Sequence, residues 1–157
     1  MVVRVVQLDP DWFGDVEVER EYFEDAWDDV VVEGVDCSCE EIPDRVGTAD
    51  VLLSHYTGVD AAAMDATGCS VVTRYATGLD GVDVAAATER GIRVTNVPRY
   101  CEDEVAEHIL ALALSLVRRV PVYDAGTADG GWDWSLDAPP RPADELTMGF
   151  LAFGAKA

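Results

Sequence analysis

Residues 70–83 read Ser-Val-Val-Thr-Arg-Tyr-Ala-Thr-Gly-Leu-Asp-Gly-Val-Asp, a short apolar run followed by a glycine turn. The β-branched pair at 71–72 predicts a strand that ends near Arg74, and Gly78 predicts a tight turn after it. In an open α/β sheet, ligands bind beyond the carboxyl ends of the strands, where this turn falls. Two interpretations stay open. The turn is an anion site whose backbone N–H groups hold a carboxylate beside Arg74, or it is a plain strand-to-helix connection capped by Asp80.

Strand and helix patterns alternate on both sides of this stretch. Apolar runs predict further strands at Val2–Leu8, Val30–Val35, Ala49–Ser54 and Ile92–Asn96. Helical spacing is found at Val16–Trp27, Val59–Ala66 and Val84–Arg90, and Glu40–Val46 is a short helix or a loop. Strands that are apolar throughout and alternate with helices are typical of a parallel sheet covered on both faces. We therefore predict an α/β fold.

The segment Glu102–Arg119 has the pattern of one long helix. Acids fill its first turn and two arginines its last, which suits the helix dipole at both ends. From Ile109 to Val117 only Ser115 is polar. A helix that is apolar on nearly all sides is expected to be buried on nearly all sides, between two domains or between two subunits.

The last part of the chain predicts a loop and then a strand. Residues 123–144 hold paired glycines, two tryptophans and three prolines, which favours an extended connecting or contact loop. Leu146–Leu151 is an apolar strand pattern, followed by a turn with Gly154. A strand followed by a glycine turn is how a dinucleotide-binding βαβ unit begins. We expect the chain to carry the front part of a nucleotide-dependent enzyme.

Charge is the strongest signal in the composition. The 157 residues contain 31 Asp and Glu against 11 Lys and Arg, a formal net charge of −20. Such a surface repels nucleic acid and anionic lipid, so neither partner is expected. The acids are spread along the chain rather than gathered in one block. This favours adaptation to high salt, in a halophilic, haloarchaeal source, over binding of a cationic partner.

Cysteine spacing and apolar run lengths exclude other classes. Cys37 and Cys39 form a close pair, but no second pair or nearby histidine completes a zinc site, so no metal is predicted. No apolar run is long enough for a membrane span, and the first residues do not resemble a signal peptide. A cytoplasmic location with unpaired thiols is the expectation.

The order of several motifs resembles one enzyme family. Val72–Asp83, the run from Ala85 to Pro98 and Glu104-Val-Ala-Glu107 together resemble the D-isomer-specific 2-hydroxyacid dehydrogenases. The nearest branch resembles phosphoglycerate dehydrogenase and the C-terminal-binding proteins. Gly130–Trp134 and Leu146–Gly154 follow in the same order.

This resemblance implies a division of the chain into three parts. Residues 1–98 would be a flavodoxin-like substrate domain, 99–145 a linking helix and dimerisation loop, and 146–157 the first strand of an incomplete Rossmann domain. The family's active site lies in the cleft between its two domains. The whole protein would transfer hydride between NAD and the CH–OH group of a small 2-hydroxy acid.

The resemblance also implies site residues. Thr77 and Gly78 would offer backbone N–H groups to the substrate carboxylate, Arg74 would lie beside the substrate, and His55 would face the same cleft. On the cofactor side, Val105 would lie near the nicotinamide and Gly154 matches the middle glycine of the fingerprint. The family's catalytic arginine, glutamate and histidine fall beyond residue 157, so no catalytic residue is assigned and the chain alone is expected to be inactive.

Two departures affect the cofactor. Ala152 replaces the first fingerprint glycine and Ala157 the third. Alanine is tolerated at the third position, but at the first it adds a Cβ where the turn is tightest, which predicts weak NAD binding. Two alternatives therefore remain: a module that senses NAD and recruits partners, as in the C-terminal-binding proteins, and a non-catalytic fragment that dimerises. The substrate, and the choice between NAD and NADP, stay open.

If the acidic surface is an adaptation to salt, stability will depend on ionic strength. Screening of the net charge of −20 should stabilise the fold, so we expect it in molar KCl and expect its loss in dilute buffer. Far-UV circular dichroism across that range measures this. A fold that is indifferent to salt would contradict the adaptation.

Overall fold

The computed structural model describes residues 2–133, 135, 139–152 and 154. The chain divides into two compact units, residues 1–100 and 101–157. The three-part division expected from the sequence stays a prediction.

Unit 1 is built on a five-stranded sheet. Its strands are β1 Val3–Gln7, β2 Val30–Gly34, β3 Val51–Ser54, β4 Val71–Arg74 and β5 Arg93–Thr95. They lie in the order β2-β1-β3-β4-β5, and every neighbouring pair is parallel. This is the flavodoxin-like strand order, so the predicted fold class of the first part is confirmed.

Short helices connect the strands. They are α1 Pro10–Phe13, α2 Glu17–Ala26, α3 Ile42–Arg45, α4 Ala61–Thr67 and α5 Val84–Glu89, with a 3-10 helix at Cys39–Glu41 before α3. Two of them begin at an aspartate cap. Asp60 accepts a hydrogen bond from Ala63 N and Asp83 accepts one from Ala86 N, each at 2.9 Å. These caps satisfy N–H groups that the first turn of a helix leaves unpaired. Helix α1 was not predicted from the sequence.

The sheet separates two apolar clusters because successive side chains of a strand point to opposite faces. Val6, Leu52 and Val72 lie in the larger cluster with Ile42 and Met64 from α3 and α4. On the other face, Val5, Leu53, Val32 and Val16 form a smaller cluster that Phe23 of α2 covers. Burial on both faces explains why the strands are apolar throughout.

The regular secondary structure of unit 2, in the residues that the structure describes, is helical. It contains α6 Glu102–Val117, α7 Val120–Ala128 and a 3-10 helix at Ala143–Glu145. Arg119, between α6 and α7, has a φ of 56°, in the left-handed region that ends a helix. No helix in the described part of the chain is long and apolar enough to cross a membrane.

Two predictions for this unit need correction. Residues 123–128 belong to α7 rather than to a loop, because Pro121 lies in the first helical turn, where a missing N–H costs nothing. The predicted strand at 146–151 is not formed, and no described residue pairs with it. A strand needs a neighbouring strand to satisfy its backbone groups, and the described residues of unit 2 contain none.

The apolar surface of α6 is not covered within unit 2. None of its residues is buried, and Leu110, Leu112, Leu114 and Leu116 are each more than half exposed. In the single chain these leucines stay exposed, and burial of the helix between two domains or two subunits stays a prediction. The expectation assumed a neighbour, and apolar surface of this size costs free energy while it stays in water.

Candidate functional site

Three loops meet at one edge of the unit 1 sheet. They follow β1, β3 and β4, which are neighbours in the sheet and run in the same direction. Parallel strands bring their carboxyl ends to the same edge. His55 follows β3 there, Arg74 ends β4, and Thr77 and Gly78 lie in the loop after β4. The structure thus places the four predicted substrate residues at one edge.

Asp9, which follows β1, holds the loop after β3. Its carboxylate accepts hydrogen bonds from His55 N at 2.7 Å, from Thr57 N at 2.8 Å and from Thr57 Oγ1 at 2.8 Å. Only 3% of Asp9 is exposed. A buried carboxylate with three donors is well satisfied, and it fixes the backbone on both sides of Tyr56.

Arg74, at the end of β4, holds the same loop from the other side. Its Nη1 donates to His55 O and, at 3.2 Å, to Ser54 Oγ. The side chain is 9% exposed and lies against Gly81, where a Cβ would come within 2.7 Å of Nη1. The guanidinium therefore positions the loop that follows β3, which we call the His55 loop. Its predicted contact with a substrate stays a prediction.

His55 is joined to the loop after β4. Its Nδ1 lies 2.6 Å from Tyr75 O, so in the neutral ring Nδ1 carries the proton and donates to this carbonyl. Tyr75 in turn donates its hydroxyl to Glu19 Oε1 at 2.9 Å. Burial, and then the charge of Glu19, raise the pKa of Tyr75 far above its usual range, so the phenol stays protonated and remains a donor.

The carbonyls of residues 75–77 all face protein donors. Tyr75 O meets His55 Nδ1, Ala76 O accepts from Val97 N at 3.0 Å, and Thr77 O accepts from Asn96 Nδ2 at 2.8 Å. In a trans peptide the C=O and the following N–H point in opposite directions. The N–H groups of Ala76, Thr77 and Gly78 therefore point away from these partners.

These three N–H groups donate to no acceptor among the described residues. Thr77 is exposed and its two neighbours are half-buried. A run of outward N–H groups whose carbonyls are held from behind can bind an anion. We call residues Tyr75–Gly78 the amide loop. A Cβ at Gly78 would lie 3.0 Å from Asp80 Oδ2, a contact that the exposed carboxylate can relieve by a small shift.

The predicted cofactor residues lie in unit 2 and are not brought together by its described part. Val105 is in the first turn of α6 and is 36% exposed. Gly154 is exposed, while Phe153 and residues 155–157 lie outside the described residues. Ala152 has a φ of 67°, the left-handed conformation that a glycine adopts without strain.

Two of the four thiols lie in the core. Cys37 and Cys69 are buried and free, and burial raises the pKa of each, which keeps them protonated and unreactive. Among the described residues no cluster of three His, Cys, Asp or Glu side chains is arranged to hold a metal ion.

Sequence reasoning missed several residues of this edge. Asp9 directly follows an apolar strand, so its position at the carboxyl end of β1 was a usable signal. Glu19, Tyr75 and Asn96 carried no such signal, because their contacts join residues far apart in the chain.

Comparison with known proteins identifies the family. Residues 13–150 match the model of the D-isomer specific 2-hydroxyacid dehydrogenase catalytic domain, and the chain belongs to this family. It is 37% identical over 122 residues to a glyoxylate reductase of Thermofilum pendens, a match covering 74% of this chain. It is 42% identical over 98 residues to a D-3-phosphoglycerate dehydrogenase of Mycobacterium tuberculosis, covering 57% of this chain.

A solved structure shares the fold. The D-lactate dehydrogenase of Aquifex aeolicus, complexed with NAD and lactic acid, superposes with a TM-score of 0.66 at 17% identity, over 88% of this chain and 40% of that chain. The chain spans 36% of the length of the glyoxylate reductase and 19% of the phosphoglycerate dehydrogenase. These matches do not bear on the predicted halophilic source, which stays a hypothesis.

Replacing Asp9 with Asn should destabilise unit 1. An amide has one acceptor oxygen and turns its own NH₂ toward the donors of the His55 loop, so we expect a loss of about 2–3 kcal/mol in the free energy of unfolding. The matched control is Asp11→Asn on the exposed side of α1, expected within about 0.5 kcal/mol of the parent. Urea denaturation measures both. Equal stability of the two variants would show that Asp9 does not hold the loop.

Proposed function

We propose that this chain is the substrate-binding part of an NAD-dependent 2-hydroxyacid oxidoreductase, and that its amide loop holds the carboxylate of a 2-hydroxy or 2-oxo acid. The observation that carries the proposal is the outward run of N–H groups at Ala76, Thr77 and Gly78, with the carbonyls behind them held by protein donors. Family membership supplies the substrate class.

The loop suits a small carboxylate for two reasons. Backbone N–H groups donate to carboxylate oxygens without bringing a counter-charge, and their geometry is fixed before the ligand arrives. Asp9 and Arg74 hold the loop that follows β3, and His55 of that loop donates to Tyr75 O in the amide loop. Binding and orientation of the acid are the steps that this chain's own residues can perform.

Hydride transfer needs NAD, which would supply the hydride acceptor in the whole protein. The described residues do not by themselves fit a dinucleotide. Ala152 stands in a left-handed conformation where the fingerprint has glycine. We therefore derive no step through the cofactor. A cytoplasmic setting is part of the proposal, and the four free thiols fit it.

Titration with a 2-oxo acid tests the amide loop directly. In ¹⁵N-labelled protein, glyoxylate should shift the backbone amide resonances of Ala76, Thr77 and Gly78 more than those of any other loop, because new N–H···O bonds form there. Sodium acetate at the same ionic strength separates binding of a 2-oxo acid from binding of any carboxylate. Shifts confined to other residues would refute the proposal.

A variant tests whether binding depends on the hydrogen bonds behind the amide loop. Asn96→Ala removes the donor behind Thr77 O and should weaken glyoxylate binding several-fold by loosening the loop. The matched control is Thr95→Val. It removes the exposed hydrogen bond from the Thr95 hydroxyl on β5 to the Thr73 hydroxyl on β4, and it should leave glyoxylate binding unchanged. The same affinity in both variants would mean that the loop does not depend on its support.

We further propose that the chain forms a homodimer through residues 102–145. The support is the exposed apolar surface of α6, with Trp132 also 89% exposed. Burying one leucine is worth about 1.5–3 kcal/mol, so several exposed leucines favour association. A two-fold arrangement with the long helices near the axis is the simplest closed assembly.

Sedimentation at micromolar concentration in high salt should show a dimer. Leu116→Asp should dissociate it, because an unpaired buried charge costs more than the contact contributes. Tyr22→Asp, on the exposed face of α2 in unit 1, is the matched control and should remain dimeric. A monomeric parent, or equal dissociation of both variants, would count against this interface.

A further inference from the structure

The first residue of the amide loop is held by its side chain as well as by its backbone. Tyr75 N donates to Ser54 O at 2.8 Å, and Tyr75 O faces His55 Nδ1. The Tyr75 hydroxyl donates to Glu19 Oε1 at 2.9 Å. We propose that Glu19, on α2, is a positioning residue for the carboxylate site, because its contact with the Tyr75 hydroxyl keeps the amide loop in the conformation that binds an acid. This inference rests on the proposed function.

The Tyr75 side chain connects the site to the core. Its ring packs against the smaller apolar cluster, on the face of the sheet that Phe23 of α2 covers. The backbone of the same residue leads into the peptide bond whose N–H, at Ala76, is the first of the three outward groups. A side chain that is packed along its ring and hydrogen-bonded at its tip restricts the torsion angles of its own residue. The direction of the Ala76 N–H therefore depends in part on where the Tyr75 hydroxyl is held.

Glu19 is suited to hold this hydroxyl. It is half-buried, and Gln7 Nε2, from the end of β1, lies 3.5 Å from the same carboxylate oxygen. Burial, and then the charge of Glu19, raise the pKa of Tyr75 far above its usual range, so the phenol remains a donor. A hydrogen bond to a charged acceptor is roughly twice as strong as one between neutral groups. The contact therefore favours one orientation of the Tyr75 ring.

Glu19 differs from the other acids of its helix. It lies four residues before Phe23, so the two side chains share the face of α2 that is turned to the sheet. Glu17 pairs with Arg20 on the surface. The remaining acids of α2 are all exposed: Glu17, Glu21, Glu24 and Asp25. An acidic surface explains these four, but it does not explain a carboxylate that is turned inward onto the amide loop.

Removal of Glu19 gives a test in which the sign of the effect decides. The ligand is glyoxylate, titrated into the full chain by the same NMR measurement. Glu19→Ala takes away one negative charge, which by electrostatics alone should strengthen binding of an anion. If Glu19 positions the loop, the same change should weaken glyoxylate binding about fivefold, the size of one net hydrogen bond. Glu24→Ala is the matched control, since it removes an exposed acid from the same helix, and it should not weaken binding.

Variants of the two partners identify the hydrogen bond. Tyr75→Phe keeps the ring and removes the hydroxyl, so it should weaken glyoxylate binding as much as Glu19→Ala does. The double variant should lose no more than either single variant, because both changes remove the same contact. Glu19→Gln keeps an acceptor oxygen and should stay within about twofold of the parent. Urea denaturation of each variant establishes that it is folded during the titration, so that a lower affinity reports the site and not the fraction of folded chains.

The outcomes separate this inference from the proposed function. If glyoxylate shifts the amide loop, and Glu19→Ala and Tyr75→Phe bind it as tightly as the parent, the positioning role is overturned and the carboxylate site stands. Losses that add in the double variant, or an equal loss in Glu24→Ala, overturn the role as well. If Glu19→Ala does not fold, the comparison of Tyr75→Phe with the parent decides. If glyoxylate does not shift the amide loop of the parent, the proposed function fails, and the inference fails with it.

Discussion

Parallel pairing of β1 with β3, and of β3 with β4, is the constraint on which the rest of unit 1 depends. It brings the ends of three strands to one edge and leaves their loops within hydrogen-bonding distance of one another. Asp9, His55 and Arg74 Nη1 then have hydrogen-bond partners in other loops. Asp9, after β1, and Arg74, at the end of β4, form hydrogen bonds to the His55 loop from either side. Each of these bonds joins residues at least 19 positions apart.

The same contacts support the anion site that we propose at the amide loop. A backbone N–H binds a ligand well only if its peptide cannot rotate away, and rotation is prevented by fixing the carbonyl at the other end of the same peptide. His55, Val97 and Asn96 do so for three consecutive peptides. The loop is thus ordered during folding, and a ligand bound there would lose little free energy in ordering it.

Unit 2 shows the opposite balance. Its helices carry strong local signals, with acids in the first turn of α6 and a proline in the first turn of α7, yet none of their side chains is buried. Local helical propensity is therefore sufficient to form α6 and α7, while their apolar side chains stay exposed. The same reason accounts for residues 146–150, whose strand pattern forms no strand, since a β-ladder needs a second chain segment and a helix does not.

The sequence by itself determined the parallel α/β class, the approximate position of all five strands of the sheet and the edge on which the site lies, because apolar runs and glycine turns are local signals with a fixed period. It also indicated Thr77 and Gly78, through their place after a strand and their likeness to a known family. Only the tertiary structure decided that Arg74 turns inward against Gly81 and that Asp9 holds the neighbouring loop. Only the structure, too, brought Trp12 beside Tyr56, 44 positions later in the sequence. Such contacts depend on which loops the sheet order brings together, and no local pattern in the chain encodes that order.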